Sequence, residues 1–232
     1  MVSRADLERI RVSAMKRGIT RLCHFTLART FFKIAQGRVG ILSAKSVRED
    51  NLDTYHPTDE FRHDGHTDHV CCSIQFPNTY YLKKAQAKET VFKDWVVLMI
   101  DPRYLWTAGT KFCPVNAAKG SGFYITDGAT GFEGLFAPSL PQSNFTRAYA
   151  HRADCPTDIQ AEVLVPDRID LEDIMGVAFQ TAEDAAQERE RLRIGGIAAT
   201  LPPFHVCPDF FDVEALRNIV RNGRQTIESK LD

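Results

Sequence analysis

The clearest hydrophobic pattern in the chain is an unbroken apolar run from Trp95 to Ile100, which Pro102 follows closely. Short apolar runs bounded by turn residues are typical of strands buried on both faces, so this run predicts a core strand. Near the N-terminus, apolar residues at helical spacing predict a helix over residues 3–17, capped by Ser3 and ended by Gly18. Further strands are predicted at 21–26, 70–76 and 174–179, and C-terminal helices within about 183–230.

A second apolar run, from Ala161 to Val165, contains an acidic residue, Glu162. Successive side chains of a strand point to opposite faces, so Glu162 shares a face with Gln160 and Leu164. A carboxylate is rarely buried for packing alone, and this face is therefore expected to line a cleft. The alternative is an edge strand on which Glu162 points into solvent.

Two other segments carry polar groups that suit a ligand. His24 and Thr26 lie on one side of a predicted strand, where it runs into a helical pattern. For His24 the alternative is a core histidine bonded to the backbone. The polar stretch from Ser46 to His69 is expected to be loop and includes Arg62, whose guanidinium fork suits phosphate or carboxylate. A solvated surface arginine is the alternative there.

The same loop contains three histidines, His63, His66 and His69, and histidine is the commonest zinc ligand. Their spacing suits one helix face only, and Gly65 interrupts any helix there. We therefore expect no metal.

Aromatic rings and cations occur together after the strand predicted at 70–76. Tyr80 and Tyr81 are followed by Lys83 and Lys84. Cations for phosphates and rings for bases are what a groove for single-stranded nucleic acid needs, although a solvated helix face explains the spacing equally well. The segment of about 119–158 has no clear period and is rich in Gly, Pro and aromatic residues, so we expect a long loop on the acceptor side.

Composition narrows the classes of function. The 232 residues, 44% of them hydrophobic, can bury one substantial core, and no linker divides the chain, so a single domain spanning 1–232 is expected. The formal net charge of -1 excludes a broad electrostatic grip on nucleic acid and leaves only a local patch. Without a signal-peptide pattern or a bilayer-length apolar run, we expect a cytoplasmic protein that makes no membrane contact. The six cysteines contain no Cys-x-x-Cys pair, which argues against a zinc knuckle or redox motif.

Four motifs in this order resemble the DarT family of DNA-base ADP-ribosyltransferases, toxins usually encoded beside a macrodomain antitoxin called DarG. The motifs are Cys23-His24-Phe25-Thr26, then Asp59-x-x-Arg62-x-Asp64-Gly65-His66 followed by Ser73-Ile74-Gln75-Phe76-Pro77-Asn78, then Phe112 with Asn116-Ala117-Ala118, and finally Gln160-Ala161-Glu162-Val163-Leu164-Val165. The resemblance implies an α+β ADP-ribosyltransferase-like fold, with central mixed or antiparallel sheets around an NAD cleft and helices at the periphery.

The resemblance also implies residue roles. Glu162 is expected to be the catalytic glutamate and Arg62 the site arginine, while His24, Phe25, Thr26 and Arg62 are expected to bind the co-substrate NAD. The expected partners are single-stranded DNA and an antitoxin of the DarG type. The residues expected to bind the nucleic acid are Tyr80, Tyr81, Lys83, Lys84, Arg147 and Arg152.

The run Val70-Cys71-Cys72-Ser73-Ile74 departs from the Tyr-Val-Pro-Phe-Tyr-Phe run of thymidine-modifying members. It resembles the branch thought to modify guanine, so we favour guanine over thymine. Three alternatives remain open: an RNA acceptor, a protein acceptor, and an inactive nucleic-acid-binding module of the same fold. Retention of Glu162 and Arg62 speaks against the inactive module, because binding alone does not require an acid in a core strand.

Overall fold

A nine-stranded sheet forms the centre of the protein, with the strand order β13-β12-β11-β4-β1-β3-β9-β5-β6. The computed structural model describes residues 2–49, 62–197 and 201–231. Neighbouring strands are antiparallel except β11 and β12, which are parallel. The strands of this sheet are β1 Leu22–Leu27, β3 His69–Ile74, β4 Trp95–Ile100, β5 Lys111–Cys113, β6 Thr126–Asp127, β9 Glu162–Pro166, β11 Ile174–Phe179, β12 Phe204–Val206 and β13 Ser229–Lys230.

Two small ribbons and a set of helices surround the sheet. The ribbons pair β2 Ile41–Leu42 with β10 Arg168–Ile169, and β7 Ser139–Leu140 with β8 Phe145–Thr146. The helices are α1 Arg4–Arg17, α2 Ala28–Gly37, α3 Ala44–Glu49, α4 Thr79–Lys88, α5 Gly128–Gly134, α6 Ala182–Ile194 and α7 Val213–Arg221. The predicted α+β class, with a central mixed sheet and peripheral helices, is confirmed.

Local sequence explains the helix ends that were predicted. The Ser3 side chain accepts from the Asp6 N–H, and Gly18 ends α1 in the left-handed conformation with φ of 76°. At the start of α7, Asp212 accepts from the N–H groups of Glu214 and Ala215. No helix in the described parts of the chain is both long and apolar enough to cross a membrane.

The sheet divides between β1 and β3, and this division positions the site. β1 pairs with β4 along its whole length, from Leu22 opposite Ile100 to Leu27 opposite Trp95. On its other side it pairs with β3 only at Leu22 and Cys23. From His69 to Cys72, β3 pairs with β9 and not with β1. The second half of β1 is therefore left facing an opening in the sheet.

Two expectations about local structure are wrong, and a third, that of C-terminal helices, is incomplete. The segment 119–158 is not a structureless loop, because it includes α5, whose Phe132 is fully buried in the main core. Three of the seven residues of α5 are glycine, which disfavours helix, so the sequence did not predict this helix. The C-terminal part adds β12 and β13 to the helices, and α3 occupies the start of the expected 46–69 loop. Residues 50–61 of that loop lie outside the described residues, as does the Asp59 of the second motif.

Candidate active site

A cleft of about 460 Å³ opens where β1 and β3 separate. Side chains from β1, β3, α4, the turn after β5 and the start of β9 line it. Eight of the eleven predicted site residues are on its wall, namely His24, Phe25, Thr26, Arg62, Tyr80, Tyr81, Lys84 and Glu162. The structure thus brings together residues from four separate parts of the sequence.

Glu162 begins β9 and faces the cleft together with Gln160, on the face that strand alternation predicted. The opposite face, with Val163 and Val165, packs into the main core. β9 lies between β3 and β5, so the edge-strand alternative for Glu162 is wrong. The side chain is only 8% exposed, which means that its carboxyl group is held in a largely dry wall of the cleft.

Donor groups surround the carboxyl group of Glu162. Asn116 Nδ2 donates to Oε1 at 2.6 Å, and the backbone N–H of Ala117 and the thiol of Cys71 favour the ionised form of the carboxyl. Burial outweighs these donors and raises the pKa of Glu162 to about 7, and the negative charge of Asp64 acts in the same direction. A carboxyl with this pKa can accept a proton near neutral pH, as a general base must.

Arg62 is buried, and its guanidinium is engaged with the loop that carries it. Nε and Nη2 donate to the two carboxylate oxygens of Asp64 at 3.1 and 2.9 Å. Nη1 donates to the carbonyl of His69 at 2.6 Å, and Nη2 donates to the carbonyl of His66. Burial opposes ionisation of Asp64, but the Arg62 guanidinium outweighs it and keeps the pKa of Asp64 below its usual range. The fork therefore holds residues 62–69 against β3, and a direct contact of Arg62 with NAD or DNA remains a prediction.

The turn after β5 rests on this loop. A Cβ built on Gly122 would lie 2.6 Å from the carbonyl oxygen of Asp64, and Gly122 has φ of 84°, so only glycine fits without displacement. Asn116, six residues earlier, reaches Glu162. Residues 116–122 thus contact the carboxyl of Glu162 and the backbone of Asp64.

β1 contributes a neutral histidine to the wall. His24 Nδ1 donates to the carbonyl of Cys71 at 2.8 Å across the gap between β1 and β3. Burial lowers the pKa of His24, and the charge of Arg62 adds to the effect. With its proton assigned to Nδ1 by this hydrogen bond, His24 keeps Nε2 as an acceptor. Thr26, 4% exposed, lies two residues further along the same strand.

Helix α4 forms the side of the cleft that carries cations and rings. Asn78 caps it by accepting from the Tyr81 N–H at 3.1 Å. The ring of Phe25 packs 5.8 Å from Tyr81 and 6.0 Å from Trp95, measured between centroids. Lys84 lies on the cleft, one helical turn beyond Tyr80. Rings and cations therefore share one helix face.

Three residues predicted to bind nucleic acid are not on the cleft. Lys83 is exposed but lies off its wall. Arg147 is partly buried and donates to the carbonyls of Cys155 and Arg152 at 2.9 and 2.6 Å. Arg152 makes a two-bond ion pair with Asp154, with distances of 2.9 and 2.6 Å. Both arginines hold the 147–157 segment together and lie off the cleft, so a contact of either with nucleic acid remains a prediction.

His66, Asp68 and His69 offer ligand atoms that all lie within 4.8 Å of one another. Hydrogen bonds account for part of this grouping. His69 Nδ1 is 2.7 Å from Asp68 Oδ1, and its Nε2 is 3.2 Å from the carbonyl of Gly109. His63, the other histidine that raised the metal question, lies on the cleft instead.

Sequence reasoning gave no role to three side chains that surround Glu162: Asp64, Cys71 and Asn116. Asp64 and Asn116 stand inside the family-like motifs, which is the one signal that singles them out. Cys71 lies in the run that departs from the family pattern, and nothing local distinguishes it from Cys72. Their roles follow from long-range pairing of β3, β5 and β9.

A family model settles which proteins this arrangement belongs to. The family described as ssDNA thymidine ADP-ribosyltransferase, DarT, matches residues 23–212, most of the chain. The chain belongs to the DarT family. The predicted enzyme class, an NAD-dependent DNA ADP-ribosyltransferase, is that of the family. A search of curated proteins gave no match.

Solved DarT structures share the fold. DarT from Thermus sp. 2.9 in complex with NAD+ is 12% identical, with a TM-score of 0.57, and the match covers 83% of this chain and 98% of that one. The same protein in complex with ADP-ribosylated ssDNA is 12% identical, with a TM-score of 0.57, and the match covers 84% of this chain and 97% of that one. Thermosipho africanus DarTG in complex with ADP-ribose is 14% identical, with a TM-score of 0.56. That match covers 83% of this chain but only 51% of the Thermosipho africanus chain, so this chain spans about half of its length. The predicted ADP-ribosyltransferase-like fold is confirmed.

Proposed function

We propose that this chain transfers ADP-ribose from NAD to a nucleobase in single-stranded DNA, and that it acts as the toxin of a toxin–antitoxin pair. The observation that carries the proposal is Glu162, a buried carboxyl on a central strand that faces a 460 Å³ cleft and has a pKa of about 7. Such a group is costly for the fold, and its place on the cleft, which Glu188 with a similarly raised pKa does not share, is what suits it to catalysis.

The chemistry asks two things of Glu162. As the bond between nicotinamide and ribose breaks, nicotinamide leaves with the bonding electron pair and positive charge develops on the ribose. The ionised Glu162 stabilises that charge, because few water molecules compete in the buried wall. A nitrogen of the acceptor base then forms the new bond to the ribose carbon, and Glu162 takes the proton which that nitrogen loses.

The β1 side of the cleft suits the donor. Neutral His24 offers an acceptor at Nε2, and Thr26 offers a hydroxyl group on the same strand. These groups can bond ribose hydroxyls or the nicotinamide amide, and so orient the reacting carbon toward the acceptor. Phe25, whose ring packs at a tilt of 58° against Tyr81, adds an aromatic wall to this side.

The α4 side suits a single strand. Tyr80 and Tyr81 present rings to the cleft, and Lys84 and Lys88 present cations on the same helix face. Rings and cations together bind bases and phosphates without requiring a duplex. A complex of Thermus sp. 2.9 DarT with ADP-ribosylated ssDNA supports this acceptor for a relative of the same fold.

For the modified base we propose guanine in preference to thymine. The support is the run Val70 to Ile74, which departs from the pattern of thymidine-modifying members, whereas the family description names thymidine. The proposed partner is a macrodomain antitoxin of the DarG type, supported by the designation DarTG of the Thermosipho africanus relative.

Mass spectrometry of defined oligonucleotides incubated with NAD tests the proposal. Four single strands that each carry one target base in an otherwise unreactive background are compared with the same strands annealed to complements. We expect one ADP-ribose on the guanine strand, much less on its duplex, and none with the Glu162→Gln variant. Modification of the thymine strand alone would overturn the base assignment, and modification only of RNA or protein would overturn the DNA acceptor.

A further inference from the structure

The carboxyl of Glu162 is held by two side chains from strands on opposite sides of β9. Asn116 follows β5, which pairs with β9 so that Cys113 lies opposite Glu162, and Asn116 Nδ2 donates to Oε1 at 2.6 Å. Cys71 belongs to β3, where it lies opposite Leu164. Opposite residues of an antiparallel pair share a face, so Cys71 points to the same side as Glu162, two residues from Leu164.

The thiol of Cys71 stands between two carboxyl groups. Its Sγ donates to Asp64 Oδ2 at 3.8 Å, and the thiol also favours the ionised form of Glu162. A thiol has one proton, so it can serve one acceptor at a time. Asp64 already accepts from the Arg62 guanidinium and from the His66 N–H at 3.1 Å. Glu162 has fewer charged donors than Asp64, so the thiol, which donates to Asp64 in this structure, can turn to Glu162 when that carboxyl ionises.

We propose that Cys71 and Asn116 are positioning residues for ADP-ribose transfer, which hold the Glu162 carboxylate from both sides and, at Cys71, keep it apart from Asp64. The proposal rests on the proposed function of Glu162. Neither side chain needs to touch the substrate for this role, because both act through the carboxylate. Each donated hydrogen bond favours the ionised form of Glu162, which is the form that stabilises the ribose charge and takes the proton.

The opposing interpretation is that Cys71 is a small packed thiol and Asn116 a turn residue. The two interpretations differ in what they predict for the ionisation of Glu162. A packing role affects stability and leaves the titration of Glu162 in place, whereas removing a donor makes Glu162 harder to ionise and moves the acid limb of the pH–rate profile upward. The titratable groups that interact electrostatically with Glu162 are Asp64 and Arg62 of the loop, Cys71 of β3, Cys72 on the opposite face of β3, and Cys113 of β5.

The test uses matched variants of the full chain. Cys71→Ala removes the thiol donor, and Cys71→Ser replaces it with a hydroxyl donor. Asn116→Ala removes the amide donor. Cys207→Ala, a thiol buried in a separate core cluster, controls for loss of a packed sulfur. For each protein, kcat and KM for NAD are measured from pH 5.5 to 8.5, and the Glu162 carboxyl is titrated by carbon-13 NMR in the absence of NAD and DNA.

We expect the acid limb to move up by about one pH unit in Cys71→Ala and in Asn116→Ala, which means about tenfold lower kcat near pH 6. Cys71→Ser and Cys207→Ala should keep the acid limb of the unmodified chain, and KM for NAD should change little in all four. Equal behaviour of Cys71→Ser and Cys71→Ala, or an unchanged titration in Asn116→Ala, would overturn the proposal. The NMR titration decides this even if the chain modifies no oligonucleotide, a result that would overturn the proposed function instead.

Discussion

Replacing Glu162 with Gln is expected to abolish ADP-ribose transfer and, above neutral pH, to stabilise the fold. Burial raises the pKa of Glu162 from its ordinary value of 4.5 to about 7. In the unfolded chain the carboxyl therefore ionises near pH 4.5, whereas in the folded protein it keeps its proton up to about pH 7. Ionisation favours the unfolded state throughout this window, so stability is lost as the pH rises from 4.5 to 7.

The size of the effect follows from the pKa difference, which is about 2.5 pH units. At about 1.4 kcal/mol per unit, burial of the ionised Glu162 costs about 3 kcal/mol of unfolding free energy once the pH exceeds 7. Gln has nearly the same shape and no charge, and its side-chain oxygen can still accept from Asn116. The free energy of unfolding of Glu162→Gln, relative to the unmodified chain, should therefore grow by about 3 kcal/mol between pH 4.5 and pH 8.5.

Urea denaturation of both proteins at the two pH values measures this difference, and the oligonucleotide assay measures transfer. Glu188→Gln is a matched control. Glu188 is 2% exposed, its pKa is also raised to about 7 by burial, and it pairs with Arg191 on α6 outside the cleft. That variant should show a similar pH-dependent gain in stability and full transfer activity. A stability difference for Glu162→Gln that stays constant with pH would refute the reasoning.

Three further perturbations test the rest of the site. Arg62→Lys should lower the free energy of unfolding by about 2–5 kcal/mol and abolish transfer. An ammonium group cannot replace the bidentate ion pair with Asp64 and the two hydrogen bonds to backbone carbonyls. Near-normal stability and turnover of the variant would show that only the charge matters. Lys84→Ala should weaken binding of single-stranded DNA and reduce the salt dependence of that binding, whereas Lys83→Ala, whose side chain lies off the cleft, should do neither. Equal effects of the two variants in filter binding would show that the strand does not bind along the cleft face of α4. Gly122→Ala should reduce transfer activity and lower the free energy of unfolding by on the order of 1–3 kcal/mol, because the new Cβ would lie 2.6 Å from a backbone carbonyl oxygen. Gly65→Ala is the control, since Gly65 has φ of 76° but no atom within 4 Å of the new Cβ, so that only backbone strain is expected. Identical losses of thermal stability in the two variants would contradict the close contact at Gly122.

The sequence by itself determined those features that depend on local periodicity and local caps. The apolar run Trp95 to Ile100 is buried at all six positions, as its composition requires. The two-residue period of a strand placed Glu162 on the cleft face, since that period holds whatever the neighbouring strands are. Ser3 and Gly18 determined both ends of α1 for the same local reason.

Tertiary structure alone decided which groups surround Glu162 and what each arginine does. Asn116 and Glu162 are 46 residues apart in sequence, and pairing of β5 with β9 brings them within 2.6 Å. Arg62 and Arg152 looked like cations available to a ligand, but each folded loop supplies its own carboxylate two residues away. A guanidinium bonds whichever oxygens its backbone brings within reach, and that depends on how the loop folds onto the sheet. The pKa of Glu162 is likewise a tertiary property, because burial sets it and burial needs β3, β5 and β9 together.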